Sequence, residues 1–553
     1  MTIAHRLAPA WLFSLLTAAL LTGCTDGGAL DLDPGNGADV ASAPTSVTAS
    51  SLPVTVEIVG PGGGLVRDSA GHACTGTCTT SHPAGTTLAL LPTATSGPFQ
   101  GFTRDCTGTA CTLVVNAARA VRAVFGHLAV VQAIPVPTHD PYDRVNDMVV
   151  GPDGDVFVVG DNYRPGELGT LAVPCPGFVC GYVARIDGRT GTPRWVRSFG
   201  GDSSDAYASG IALRNGHLYI ASTFAGQVSY GTTRLVTIQN ATAIVSMSLD
   251  GQVEWARGFF RTGDFGSSEP QVIAASDDGR LFVAGRFDGA VDFGGVIARN
   301  LQPGFSDGYI LGLEAASGTT RWVRVVDSTD NTEIHGLGTD PVGNLVVAGN
   351  HYAPVNLGGG PIMPAPAFPS PRGIFVAKLR GSDGAHVWSR GLTAPFLGSM
   401  HKAVVDESGD VFLSAFLGGA LDLGDGVTVA NTGDDPVFVA RLNGATGRSK
   451  WAVKAGTAHL ADVRAGQVLL VGGGHALELA LLDATTGAVR QQRRVAGDLE
   501  GGAGLLFGGS GVLAGDHAYG VIDFWNGAGI DGLSTPPTSV SSVRERRFVR
   551  IGL

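Results

Sequence analysis

Three histidines head three short, similar segments: His335 in HGLGTD, His401 in HKAVVD and His459 in HLADVR. Aligned on one register, Gln271 and Asn146 stand at the matching place in two earlier segments. Neutral imidazoles that converge bind transition metals, and imidazole or amide side chains at a shared rim can contact a small ligand or a peptide. The competing reading is a set of polar residues spaced one repeat apart on a rim, too far apart for all three imidazoles to ligate one ion. The stretches that lead into these segments are acidic, with Asp202, Asp205, Asp264, Glu269, Asp327, Asp330, Glu333, Asp498 and Glu500. Carboxylates gathered on one face attract Ca²⁺ or a basic partner; dispersed, they are solvated loop charges. Catalytic signatures are absent. The chain has no HExxH, GxSxG, P-loop or EF-hand pattern, and Asp153-Gly154-Asp155 lacks the EF-hand spacing. No catalytic residue is therefore assigned and no resident cofactor is expected. The metal question, Ca²⁺ or a transition ion, rests on the acidic loops and the imidazoles.

The seven cysteines divide into Cys24 and three close pairs, Cys74/Cys78, Cys106/Cys111 and Cys175/Cys180. Six cysteines permit 15 pairings, and local bridges in an oxidising compartment are the expectation. A zinc site built from the first four is the rival, although their spacings are not those of a zinc ribbon.

Residues 1–23 read as a secretory leader, with His5 and Arg6, an apolar run from Leu7 to Leu21, and small residues after it. Leu21-Thr22-Gly23-Cys24 resembles the bacterial lipobox. That resemblance implies acylation of Cys24, which becomes the first residue of a lipoprotein held in the cell envelope, expected at the outer membrane. Residues 24–52 are rich in Gly, Ala, Ser, Thr, Pro and Asp without hydrophobic period, and read as a flexible tether.

Glycine accounts for 83 of the 553 residues and charged residues for 15%, while hydrophobic residues reach 44% and the net charge is −11. This composition suits many short strands joined by tight turns, and it lacks the basic footprint that nucleic-acid binding needs. Residues 53–126 show alternating strand signals in PVTVEIV, TTLALLPTA and CTLVVNAARAVRAVF. Their order around two cysteine pairs resembles a divergent internalin-type B-repeat of bacterial surface proteins, with Phe102 where that family usually has tryptophan. The resemblance implies a spacer or adhesion module.

From residue 127 to 553 a unit recurs. PDGDVFVVG, RNGHLYIAS, DDGRLFVAG, PVGNLVVAG, ESGDVFLSA and RAGQVLLVG place turn glycines at Gly154, Gly216, Gly279, Gly343, Gly409 and Gly466, about 62 residues apart on average. Each is followed by a second landmark such as YVARI or FVAKL, then by Trp195, Trp255, Trp322, Trp388 or Trp451, with Gln491 in the sixth unit. GGSGVLAG is a degenerate seventh copy. Four strands per unit and a fixed period predict a seven-bladed β-propeller. The last unit lacks its fourth strand, and LAVVQAIPV at 128–136 is predicted to supply it, locking the ring with strands from both ends.

These blades resemble the propeller repeats of secreted bacterial proteins, with hairpins such as VDFGG and LDLGDG. IDGRTGTPRW, LNGATGRSKW and LDATTGAVRQ resemble the docking motif of quinoprotein propellers. That motif occurs both in quinone-dependent dehydrogenases and in the propeller lipoprotein of the outer-membrane barrel-assembly machinery. Eight copies and a vicinal cysteine pair, which the dehydrogenases imply, are missing. The sequence therefore reads as an all-β, lipid-anchored surface protein: a small disulfide-stapled module followed by a propeller that binds a protein or glycan without catalysis. An assembly-type propeller lipoprotein and a quinoprotein-like or metal-dependent enzyme are the alternatives.

Overall fold

The computed structural model describes residues 50–552 except 60–62, 97–98, 109, 126–128, 136–142, 366–371, 393–396, 431–436, 473–475, 497–503, 515–516, 526–528, 531–532 and 535–543. The leader, Cys24, almost all of the tether, and Asp498 and Glu500 lie outside the described residues. Every regular element among the described residues is a β-strand, so the chain is all-β.

The N-terminal strand Ser51–Val59 starts inside the segment read as tether. Ser51 already pairs with Pro83, and Leu52 packs on the module core, so the strand begins two residues, and its apolar alternation one residue, before residue 53. Two four-stranded sheets make up the module. In one, Ser51–Val59 lies between Thr77–Pro83 and Arg119–Phe125, with Phe99–Arg104 at the far edge; in the other, Gly63–Asp68 lies between Ala73–Cys74 and Thr86–Ser96, followed by Cys111–Val115. Val54, Val121 and Phe125 from the first sheet share a core with Val66, Leu88 and Val115 from the second, and Phe102 is buried among them. A core this small gains from cross-links, and Cys74–Cys78 and Cys106–Cys111 are disulfides.

From Arg144 the repeat takes over. The first unit pairs Arg144–Val150, Val156–Asn162, Cys180–Ile186 and Pro193–Phe199 antiparallel in chain order. Its first turn needs Gly154 at φ 84°, a left-handed conformation that costs a side-chain-bearing residue energy. The middle strands are buried along both faces, as Val156–Asn162 and Gly373–Leu379 are throughout. A strand sandwiched between neighbouring units admits a charge only where it is paired or hydrogen-bonded, as Lys378 is with Asp340, and this keeps the sequence charge-poor.

The first strands of successive units contact one another in a closed cycle: Arg144–Val150, Asp205–Arg214, the C-terminal half of Val253–Ala275, Thr332–Thr339, Leu397–Val405, Ala458–Arg464, Gly504–Ala514, and back to Arg144–Val150. The last unit contains Gly504–Ala514, His517–Trp525 and Arg544–Gly552, and takes its fourth strand from Ala129–Pro135. Phe548 and Tyr519 from this unit share a core with Val145, Met148 and Val150 of the first. Arg550 Nη1 donates to the Arg189 carbonyl at 2.6 Å, and the Tyr519 hydroxyl donates to the Gly188 carbonyl. This closed, radially repeated set of four-stranded sheets is a β-propeller.

One contact recurs between units. The tryptophan opening the fourth strand donates its indole N–H to a carbonyl in the next unit's last turn: Trp195 to Leu249 at 3.1 Å, Trp322 to Gly381 at 3.0 Å, Trp388 to Gly444 at 3.1 Å, and Trp451 to Ala484 at 3.0 Å. A positive-φ glycine in that turn lies flat under the ring. A Cβ added to Gly447 (φ 72°) would meet the Trp388 ring at 2.8 Å. The Thr-Gly-x-x-x-Trp pattern is thus a packing device that joins each unit to the next.

Candidate functional site

In every unit the connection from the second strand to the third and the connection into the next unit's first strand emerge at the same end, because the strands alternate in direction. The polar residues flagged in sequence lie at this end. Each first strand bulges there, between Val145 and Asp147, Ala208 and Gly210, Pro270 and Val272, Ile334 and Gly336, Met400 and Lys402, and Leu460 and Asp462. An inserted residue turns its side chain out of the ladder and re-aims it.

The inserted residues are Asn146, Ser209, Gln271, His335, His401 and Ala461. Four of the five flagged residues therefore share a true structural register. His459 does not: it precedes the bulge of its strand by two residues, so the alignment that set it beside His401 was out of step. The offset has a consequence, since it brings the His459 ring against that of His401 with centroids 3.7 Å apart. Phe416 closes the group, its ring 4.4 Å from that of His401 and 5.7 Å from that of His459.

The His401 Nε2 and His459 Nδ1 atoms are buried and make no hydrogen bond. Burial pushes His401 down to about 4, helped by the neighbouring charges of His459 and His335. Burial also lowers His459. Both are therefore neutral imidazoles at neutral pH. His335 stands apart, its Nε2 3.3 Å from the Glu333 carboxylate. That bond is the main reason Glu333 titrates below its ordinary range, with burial opposing it. Among the described residues, His335, His401 and His459 do not bring three ligand atoms together.

Asn146 and Gln271 are committed to holding units together. Asn146 Nδ2 donates to Asp161 Oδ2 at 2.7 Å and to the Ala208 carbonyl of the second unit at 2.9 Å. Gln271 Oε1 accepts the Ile334 amide of the fourth unit at 3.0 Å. Asp161 accepts the Ala208 amide at 2.8 Å, and burial pushes its carboxyl up to about 7, partly offset by the bond from Asn146. Asn350 and Ser414 repeat this arrangement, accepting the amides of Met400 and Leu460 in the following units.

Sequence reasoning missed two features. The residues just after the bulge include Asp147, Lys402 and Asp462, which interact across the ring. Burial raises Asp147, opposed by Lys402 and by the amides of Ile211 and Met148. Asp462 in turn accepts the Leu513 amide at 2.8 Å. Counting one residue on from the correctly aligned bulge would have found them. The second feature is apolar. Phe178, Ile238, Phe265, Leu301, Phe305 and Phe416 are exposed at this end, with Ile238 at 82% and Phe265 at 78%. Hydrogen bonds hold their backbones in place: Phe178 N to Ser204 O at 3.0 Å, Leu301 N to Asp307 Oδ2 at 2.7 Å, and Gly266 N, beside Phe265, to Gln239 Oε1 at 3.3 Å. Around them Asp202 and Asp264 are exposed, while Glu269 pairs with Arg286 at 2.7 Å.

A separate cleft of about 670 Å³ opens between the first and second units, lined by Pro165, Pro174, Pro176, Arg197, Phe199 and Val253. The Cys175–Cys180 disulfide lies beside it.

The profile of the family described as outer membrane protein assembly factor BamB matches residues 180–414 and 375–507. No curated protein matches. Among solved structures, quinohemoprotein alcohol dehydrogenase from Comamonas testosteroni is 12% identical, with 76% of each chain covered and a TM-score of 0.38. BamB from Moraxella catarrhalis is 11% identical, with 77% of this chain and 99% of that chain covered and a TM-score of 0.37. The Dos1 propeller is 10% identical, covering 84% of this chain and 88% of its own, with a TM-score of 0.37.

Proposed function

The chain belongs to the outer membrane protein assembly factor BamB family, and we propose that it is a non-catalytic binding scaffold of the cell envelope, of the assembly-factor type, that grips a protein partner at the long-loop end of its propeller. The observation that carries this reading is the exposed apolar set Phe178, Ile238, Phe265, Leu301, Phe305 and Phe416 at one end of the ring. Large exposed aromatic and aliphatic side chains on hydrogen-bonded loops give a partner apolar area to bury with little ordering cost, and such patches mark interaction surfaces. The acidic residues around them, Asp202 and Asp264 among them, favour a partner with basic residues at its rim.

On this reading Cys24 carries the lipid anchor, the tether gives reach, and the disulfide-stapled module acts as a spacer between membrane and propeller. The neutral His401–His459 pair and Phe416, which meets both imidazoles edge-on, add an aromatic cluster at the same end. The charge-introducing double variant Ile238→Asp/Phe265→Asp tests the proposal. It should abolish co-purification of the envelope partner with the full-length protein while leaving the folded content unchanged by circular dichroism. Undiminished capture by this variant would overturn the reading.

A further inference from the structure

The module contains a constellation that the propeller's function does not use. Asp68, His72 and His82 bring one ligand atom each to within 4.8 Å of the others. Asp68 closes strand Gly63–Asp68 in one sheet, His72 lies in the turn that follows, and His82 belongs to Thr77–Pro83 in the other sheet. The Asp68 Oδ2 atom is 2.9 Å from His72 Nδ1 and 3.4 Å from His82 Nε2. A first-row ion with bonds of about 2.0–2.2 Å separates its ligands by about 2.9–3.4 Å at angles between octahedral and tetrahedral. Both separations from the Asp68 oxygen already fall in that range, and the two imidazoles have only to close from within 4.8 Å of each other.

The surroundings select which oxygen is offered. Asp68 Oδ1 is taken by the amides of Ala70 at 3.0 Å and His72 at 2.8 Å, so Oδ2 alone faces the imidazoles. Backbone anchoring of this kind orients a metal ligand. His82 is 3% exposed and Asp68 8%, whereas His72 is open to solvent. The two buried ligands come preorganised, and the exposed one provides the entry path. Thr80 Oγ1, 2.8 Å from His82 Nε2, is the other polar contact at that nitrogen and is placed to hold a metal-bound water once the ion takes the lone pair.

We propose that Asp68, His72 and His82 form a binding site for a divalent transition ion, with Zn²⁺ as the natural occupant. Two imidazoles and one carboxylate are a borderline-soft donor set that fits zinc, cobalt, nickel or copper and disfavours Ca²⁺ and Mg²⁺. The ion would bridge the two sheets beside the Cys74–Cys78 disulfide, which joins the neighbouring strands Ala73–Cys74 and Thr77–Pro83. It is thus a second staple for a module too small to rely on its core alone.

The test uses the full-length protein, stripped with chelator and then titrated with Zn²⁺ or Co²⁺. Wild type should bind one equivalent, with Co²⁺ giving a visible d–d spectrum. His72→Ala, at an exposed position that leaves the core intact, should weaken Zn²⁺ binding at least about tenfold and erase that spectrum. His82→Asn should do the same and serves as the second variant. The double variant His401→Ala/His459→Ala should keep the equivalent. Failure of wild type to take up a stoichiometric ion, wild-type affinity in His72→Ala, or loss of the ion in the His401/His459 variant would each overturn the assignment.

Discussion

Replacing Phe548 with alanine separates a closed ring from a row of units that merely touch. Phe548 is 1% exposed, its ring lies 5.8 Å from that of Tyr519 in a stacked arrangement, and its core includes Val145, Met148 and Val150 from the first unit. Truncating a fully buried phenylalanine removes its transfer free energy and leaves a cavity, at a cost of about 3–5 kcal/mol. In an open array that cost stays with the terminal unit and its nearest neighbour. In a closed ring the strand Arg544–Gly552 joins His517–Trp525 to Ala129–Pro135, so the loss falls on the whole propeller. Tryptophan fluorescence during urea unfolding reads this in a Trp525→Phe background, because Trp525 shares the unit of the substitution whereas Trp195, Trp255, Trp322, Trp388 and Trp451 sit in units distant in sequence from it. The tryptophan-reported transition should move as one step by about 3–5 kcal/mol with an unchanged slope. An unmoved transition, with only the C-terminal strand becoming sensitive to protease, would refute ring closure.

Other predictions follow from the same geometry. Trp388→Ala should cost about 3 kcal/mol by losing its ring packing and leaving the Gly444 carbonyl with one donor fewer. Gly447→Ala should also destabilise, because it needs φ 72° and places its Cβ 2.8 Å from the Trp388 ring. In urea unfolding the double variant should lose less than the sum of the two, whereas strict additivity would show that the contact carries no coupling. The contribution of His401 to stability should fall in acid, opposite in sign to that of Asp161, whose raised carboxyl takes up its proton first in the fold. His401 is held at about 4 in the fold, below its ordinary value of 6.5, so the unfolded chain takes up its proton first as pH drops. The stabilising effect of the neutral ring is complete above about pH 6.5 and is lost as pH falls toward 4. His401→Gln should remove this loss and leave the urea midpoint higher at about pH 4.5 relative to about pH 7 than in wild type, and an unchanged slope would contradict the burial of this imidazole.

The fold was legible in the sequence because two landmarks, a turn glycine and a tryptophan, advance at one period and each has a single structural task. Gly154 takes a left-handed turn and Trp388 covers Gly447, so neither tolerates much variation in place. The missing fourth strand was legible for the same reason, since Ala129–Pro135 lies where the period leaves a gap. The candidate site was only partly legible. Residue type suggested that His335, His401 and His459 share a register, but register at a bulge is set by the backbone, and Ala461 occupies the bulge of the sixth unit. Asn146 and Gln271 have the chemistry of ligand contacts, and only their bonds to Ala208 and Ile334 show that they hold units together. The apolar rim was hidden because Phe265 and Ile238 look like strand residues until their exposure is known. Asp68, His72 and His82 lie on two sheets, so their proximity depends on a pairing that sequence spacing does not reveal.

The central claim is that the long-loop end of the propeller holds a protein partner. Its most direct test is photocrosslinking in the native envelope, with a photoreactive amino acid placed at Phe265 or, on the opposite end, at Val342, which is 75% exposed. The account predicts a discrete protein adduct from position 265 and none from position 342. Adducts from both ends alike, or from position 342 alone, would contradict it.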